Sequence, residues 1–154
     1  MKQTLELDEK YADKVLTSMI LSGLNYEEMA MAIPDLPGPV FAFSEFLYTT
    51  GKREEAAQRY LAALDLIEKQ KDIKAWQFYK IYQFFFRQNN IKNAMEVMNR
   101  AEKALPMNPG IKITLGDLYK RQGILYKAEE KYEQALYVDP ENQKALKRIQ
   151  NINQ

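Results

Sequence analysis

The sequence predicts an all-α protein assembled from stacked helix pairs, and three observations carry that prediction. First, the stretches Phe43 to Leu64, Ile81 to Pro106 and Leu115 to Pro140 each place an apolar-periodic segment, a break and a second apolar-periodic segment in the same order. Second, the breaks fall on Gly51, Asn89 and Gly123, residue types that accept the left-handed backbone of a tight helix–helix turn. Third, each break is followed by the same small, large, small series: Ala56, Tyr60, Ala63, then Ala94, Met98, Ala101, then Ala128, Tyr132, Ala135. Its steps of four and three residues keep the series on one helix face. A neighbouring helix can approach at the alanines and pack around the large residue between them.

Composition bounds the chemistry. The chain has 154 residues, enough for one domain of ordinary size, and its formal charge is 22 − 21 = +1. Cys and His are both absent, which removes disulfides, thiolate or imidazole zinc sites, a thiol nucleophile and any general base that needs imidazole. No cofactor and no metal is expected. The near-zero charge argues against phosphate-backbone binding, and therefore against nucleic acid as partner. Residues 1–10 alternate charged and apolar types without the apolar core of a secretory signal. The least charged stretch, Met29 to Ser44, contains Asp35, Pro34, Pro37 and Pro39, so no bilayer-spanning helix is expected. These features predict a soluble chain that does not insert into membranes, placed in the cytoplasm or, as a piece of an envelope protein, in the periplasm.

The repeated residues resemble the tetratricopeptide repeat (TPR) family. The third unit carries the resemblance most fully, through Leu115, Gly116, Tyr119, Gly123, Ala128, Tyr132, Ala135, Leu136 and Pro140. The second keeps Ile81, Phe85, Ala94, Met98, Ala101 and Pro106 but has Tyr82 where the family has a small residue. The first keeps Leu47, Gly51, Ala56, Tyr60, Ala63 and Leu64, with Arg53 at a usually apolar position and Glu68 at the closing-proline position. The resemblance implies a TPR-like α-α superhelix, a right-handed solenoid of antiparallel helix pairs, with repeats at about 37–74, 75–108 and 109–142. Asn89 to Gly123 spans 34 residues, the family period, whereas Gly51 to Asn89 spans 38. Because Leu64 to Ala75 holds neither Gly nor Pro, the second helix of the first unit is expected to run about one turn long.

The flanks read as caps for the exposed ends of a solenoid. In residues 143–154, Ala145, Leu146, Ile149 and Ile152 form one apolar stripe, with Lys144, Lys147 and Arg148 elsewhere. In residues 1–36, Asp8 can cap a helix carrying Tyr11, Val15 and Met19, and Asn25 with Glu28 forms a capping-box pattern before a short helix ending at Pro34. A degenerate repeat and an unrelated helical pair fit this segment equally.

The acidic pairs Glu27/Glu28, Glu54/Glu55 and Glu129/Glu130 point about 100° apart on a helix and do not converge on a substrate. They read as first-turn residues favoured by the helix dipole. No glycine pattern forms a phosphate cradle. The chain is expected to be no enzyme; a carboxylate-only hydrolase would have to rely on Glu45 and Asp117. Lys120, Arg121, Lys127 and Lys131 form no continuous run and, with Glu129, Glu130 and Glu133 interspersed, read as a solvated face with i,i+4 pairs.

Trp76 to Phe86 is dense in aromatic residues around its whole circumference, so most of them belong to core: Phe78, Tyr82 and Phe85 on the unit's own packing face, Phe84 against a neighbouring repeat. The resemblance implies that the first helix of each unit lines a concave groove. Carried onto this sequence, the groove set is Phe41, Glu45, Tyr48 and Thr49, then Trp76, Tyr79, Gln83, Phe86 and Arg87, then Ile113, Asp117, Lys120 and Arg121. Phe41, Tyr79 and Ile113 stand where chaperone-tail binders of the family carry a clamping lysine, so that ligand is not expected. The reading is a non-catalytic scaffold or adaptor that binds a protein, as a peptide or helix, in an aromatic-lined groove. Self-filling by the N-terminal helices or by a second copy is the competing use of these aromatics, and either use protects Trp76 from water. The alternatives are a secretion or assembly chaperone and the soluble repeat domain of a larger bacterial envelope protein, such as one in polysaccharide assembly.

Overall fold

A computed structural model describes residues 14–152, which are helical with short turns and contain no strand. The expected cap at Asp8 and the start of its stripe at Tyr11 lie outside the described residues. The chain divides into two compact units, Met1–Lys71 and Asp72–Gln154. The first contains α1 (14–21), α2 (Tyr26–Ala32), α3 (Pro37–Thr49) and α4 (Arg53–Glu68). The second contains α5 (Ala75–Arg87), α6 (Ile91–Ala104), α7 (Pro109–Arg121), α8 (Leu125–Val138) and α9 (Gln143–Gln150).

Left-handed residues make the tight turns. Gly51 (φ 86°), Asn89 (φ 56°) and Gly123 (φ 76°) join α3 to α4, α5 to α6 and α7 to α8. Gly23 (φ 78°) does the same between α1 and α2, so the N-terminal pair shares the turn chemistry of the repeats. The Asn25 capping box forms: its side-chain oxygen accepts from the amides of Glu27 and Glu28, both at 3.0 Å, and the Glu28 carboxylate accepts from the Asn25 amide at 2.8 Å.

The alanine faces behave as their spacing predicts, because Ala56, Ala63, Ala94, Ala101, Ala128 and Ala135 are all fully buried. The large residues between them do more than fill space. Tyr60 is buried and its hydroxyl donates to Glu45 on the paired helix at 3.1 Å; Tyr132 repeats the arrangement with Asp117 at 2.8 Å. Opposite the Tyr132 ring stands Gly116, where any Cβ would overlap that ring; Ser44, at the equivalent repeat position in α3, is fully buried. The middle repeat substitutes both partners, with Tyr82 at the small position and Met98 in place of the tyrosine.

Three local expectations are corrected. Helix α4 has 16 residues against 14 in α6 and α8, so it is longer by half a turn, and the other inserted residues lie in the link before α5. Helix α8 begins at Leu125, which places Glu129 and Glu130 beyond its first turn, unlike Glu27, Glu28, Glu54 and Glu55. Lys131 does not pair along its own helix with a glutamate. Its ammonium lies 2.6 Å from Glu102 on α6, which also accepts from Lys112 on α7 at 3.0 Å.

This three-helix ion cluster is largely shielded, with each side chain one-fifth exposed or less. Burial disfavours the Glu102 charge, yet the hydrogen bonds from Lys131 and Lys112 outweigh it and hold its pKa below the ordinary 4.5. The cluster therefore stabilises the fold above the unfolded carboxyl pKa, and that contribution is lost as pH falls through the lowered folded value. Glu102→Gln is expected to cost about 1–2 kcal/mol at neutral pH and to flatten the acid limb of stability below about pH 4.5, read by urea denaturation across pH.

Helix α9 packs on the last repeat through part of its expected stripe, without Leu146. Ala145 is buried with Ile113, Ala128, Tyr132 and Ala135, and Ile149 and Ile152 pack against that cluster.

Candidate functional site

In the second unit, α5 and α7 touch through their side chains. The Tyr79 hydroxyl sits 3.4 Å from Thr114 Oγ1, bridging the two helices. Tyr82 meets Tyr79 edge-on at 6.3 Å and lies against Phe86 at 5.2 Å. Arg121 from the last turn of α7 covers the Phe86 ring at 4.8 Å and donates to Asn89 Oδ1 at 2.9 Å. The result is a recess of about 440 Å³ lined by Tyr82, Phe86, Asp117, Lys120, Arg121, Arg148 and Asn151. Burial raises the pKa of both Tyr79 and Tyr82, reinforced at Tyr82 by the charge of Asp117, so both remain neutral hydrogen-bonding groups at physiological pH.

The closing helix completes one wall. Arg148 grips Asp117 with two arms, Nε to Oδ1 at 2.7 Å and Nη2 to Oδ2 at 3.1 Å, and Lys120 donates to the Asn151 carbonyl at 3.2 Å. The neighbouring carboxylate raises the Arg148 pKa. Both side chains of this pair are more than one-third exposed, so its value is limited by solvent screening. Asp117→Asn is expected to cost only about 0.5–1 kcal/mol while loosening α9, detectable as faster amide exchange at residues 143–152.

The expected groove residues thus separate into groups. Tyr79, Phe86, Asp117, Lys120 and Arg121 come together at or beside the recess. Gln83 and Arg87 are exposed on α5 but do not line it, and Trp76, expected to be protected, is 39% exposed. Two members are corrected to core. Phe41 is 2% exposed with its ring 6.1 Å from Tyr60, and Ile113 is 7% exposed beneath the closing helix. In the first unit, Glu45 is occupied by the Tyr60 hydroxyl and Tyr48 is half-buried. Glu45 and Asp117 each accept a hydrogen bond from a structural tyrosine, Tyr60 and Tyr132.

Tyr82, Arg148 and Asn151 were missed by the sequence reading. Tyr82, expected on the packing face, lines the recess beside Tyr79 and Phe86. Among the described residues no cluster of three potential ligands could hold a metal ion, and no described helix is long and apolar enough to cross a membrane.

Helix pairs joined by left-handed turns, with small residues facing buried tyrosines, define a class of helical-repeat proteins. No protein-family model matches the chain, and no curated protein matches it. Solved structures do. A MamA protein shares the fold with a TM-score of 0.62 and 19% identity, covering 99% of this chain and 82% of that one. The first TPR domain of Spaghetti (RPAP3), bound to the HSP90 peptide SRMEEVD, gives 0.54 and 18% identity over 74% of this chain and 87% of that one. The Yersinia enterocolitica type III secretion chaperone SycD, in complex with a peptide of the translocator YopD, gives 0.55 and 13% over 74% and 89%. The particular fold is therefore that of tetratricopeptide-repeat proteins.

Proposed function

We propose that this chain is a non-catalytic protein-interaction module that holds a peptide or helix of a partner against α5 and α7. The observation that carries the proposal is the recess itself: Tyr82 and Phe86 form an apolar floor, Tyr79 stands beside it, and charged side chains form the rim. Aromatic rings offer large contact area at small entropic cost, and a polar rim fixes orientation. Relatives in fold whose structures contain a bound peptide, RPAP3 and SycD, support the same use of the scaffold. A secretion or assembly chaperone is the second reading, supported by the fold similarity to SycD.

The test compares tagged wild type with Tyr79→Ala, Phe86→Ala, matched in helicity by circular dichroism. A partner captured by wild type from its host lysate is expected to be lost, or at least about tenfold depleted, with the variant, corresponding to about 1.4 kcal/mol or more. Equal capture by both would contradict the groove.

A further inference from the structure

We propose that the recess selects a partner segment in which an aspartate or glutamate stands beside an aliphatic or aromatic side chain. This inference rests on the reading of α5 and α7 as a protein-binding surface and adds what that surface recognises.

Three cations, Lys120, Arg121 and Arg148, line the recess together with one carboxylate, Asp117. Asp117 is already gripped by both arms of Arg148 and by the Tyr132 hydroxyl, so this pair cancels. Lys120 and Arg121 remain. Their recorded polar partners are neutral oxygens, the Asn151 carbonyl and the Asn89 amide, and neither has a carboxylate partner among the described residues. An ammonium has three donors and a guanidinium five, so most of their hydrogen-bonding capacity is unused.

The Arg121 donors sit over an apolar floor, with Lys120 on the same rim. Arg121 lies on the Phe86 ring, and Tyr82 packs beside it. The Arg121 guanidinium, held over Phe86 and tethered to Asn89, is restrained before binding and can take a carboxylate through its remaining N–H groups with less entropy to lose. The apolar neighbour of that carboxylate would then rest on Tyr82 and Phe86. This anion position lies on the last turn of α7, away from Ile113, where the lysine of a chaperone-tail clamp was sought and not found. A nucleic acid fits less well, because two unspent cations can neutralise only about two phosphates, too few for more than weak and strongly salt-dependent binding.

The experiment selects a displayed library of random linear peptides on the full chain, on Lys120→Gln, Arg121→Gln and on Tyr79→Ala, Phe86→Ala, all matched in helicity. Wild type is expected to enrich peptides with Asp or Glu within one helical turn of Leu, Ile, Phe, Tyr or Trp. Binding of the enriched peptides should fall about tenfold or more in the glutamine variant and weaken with added salt. Enriched peptides without an acidic preference, unaffected by the glutamine variant but lost with the alanine variant, would overturn this inference and leave the groove intact. Failure of wild type to enrich any peptide would remove both. Binding of a single-stranded oligonucleotide as tightly as the best peptide would overturn it, as would a dimer in sedimentation that the glutamine variant dissolves, since a second copy would then fill the recess.

Discussion

Gly116→Ala is expected to destabilise the protein by about 3 kcal/mol, lowering the thermal midpoint by roughly 6–12 °C. The methyl group would overlap the Tyr132 ring, and that ring has nowhere to go. It is fully buried between Ala128 and Ala135 and tethered through its hydroxyl to Asp117. Gly116 is needed here for the space it leaves, since it lies inside α7 with ordinary helical geometry. The middle repeat carries the opposite combination in sequence, Tyr82 at this position and Met98 at that of the tyrosine. Tyr132→Met is therefore expected to be less costly in the Gly116→Ala background than in wild type. A double-mutant cycle should return a coupling of about 1 kcal/mol or more, measured by urea denaturation. Additive effects would show that the two residues do not share one space.

Tyr132→Ala is expected to cost about 4 kcal/mol, because it empties a ring-sized volume beneath α9 and strips Asp117 of one donor. Tyr132→Phe separates the two contributions: the ring is kept, and the loss should be about 1 kcal/mol. It also carries a pH signature. Burial raises the Tyr132 pKa above that of a free phenol, and the hydrogen bond to Asp117 and its charge push it further, against the opposing charge of Arg148. A phenol raised in the folded state stabilises fully below the unfolded value, about pH 10, and the contribution is lost as pH rises beyond it. Wild type should therefore run parallel to Tyr132→Phe up to about pH 10 and lose stability faster than it only as pH rises beyond that. Curves that stay parallel there as well would place the hydroxyl outside the folding energetics.

The fold was legible because local signals agreed with one another. Gly51, Asn89 and Gly123 could be read as left-handed turns from residue type alone, and the alanine spacing fixed which face of each second helix is buried. The site was only partly legible, for reasons visible at particular residues. Asp117 has a basic residue one turn away in sequence, Arg121, which local reasoning would make its partner. Arg121 instead covers Phe86, and Asp117 is taken by Arg148, 31 residues on. Such pairings depend on where the closing helix lands, which helical periodicity does not encode. Phe41 and Ile113 illustrate the same limit: family position assigns them to the groove, while neighbouring apolar surfaces bury them.

The measurement closest to the central claim is amide hydrogen exchange on the full chain, alone and saturated with a peptide or partner that it captures. The account predicts slowed exchange confined to residues 76–90 and 114–123, with smaller changes in α9 through Arg148 and Asn151. Protection instead on the outer faces of α6 and α8, where Tyr126 and Tyr137 are 69% and 87% exposed, would contradict the groove and move the binding surface to the opposite side of these helices.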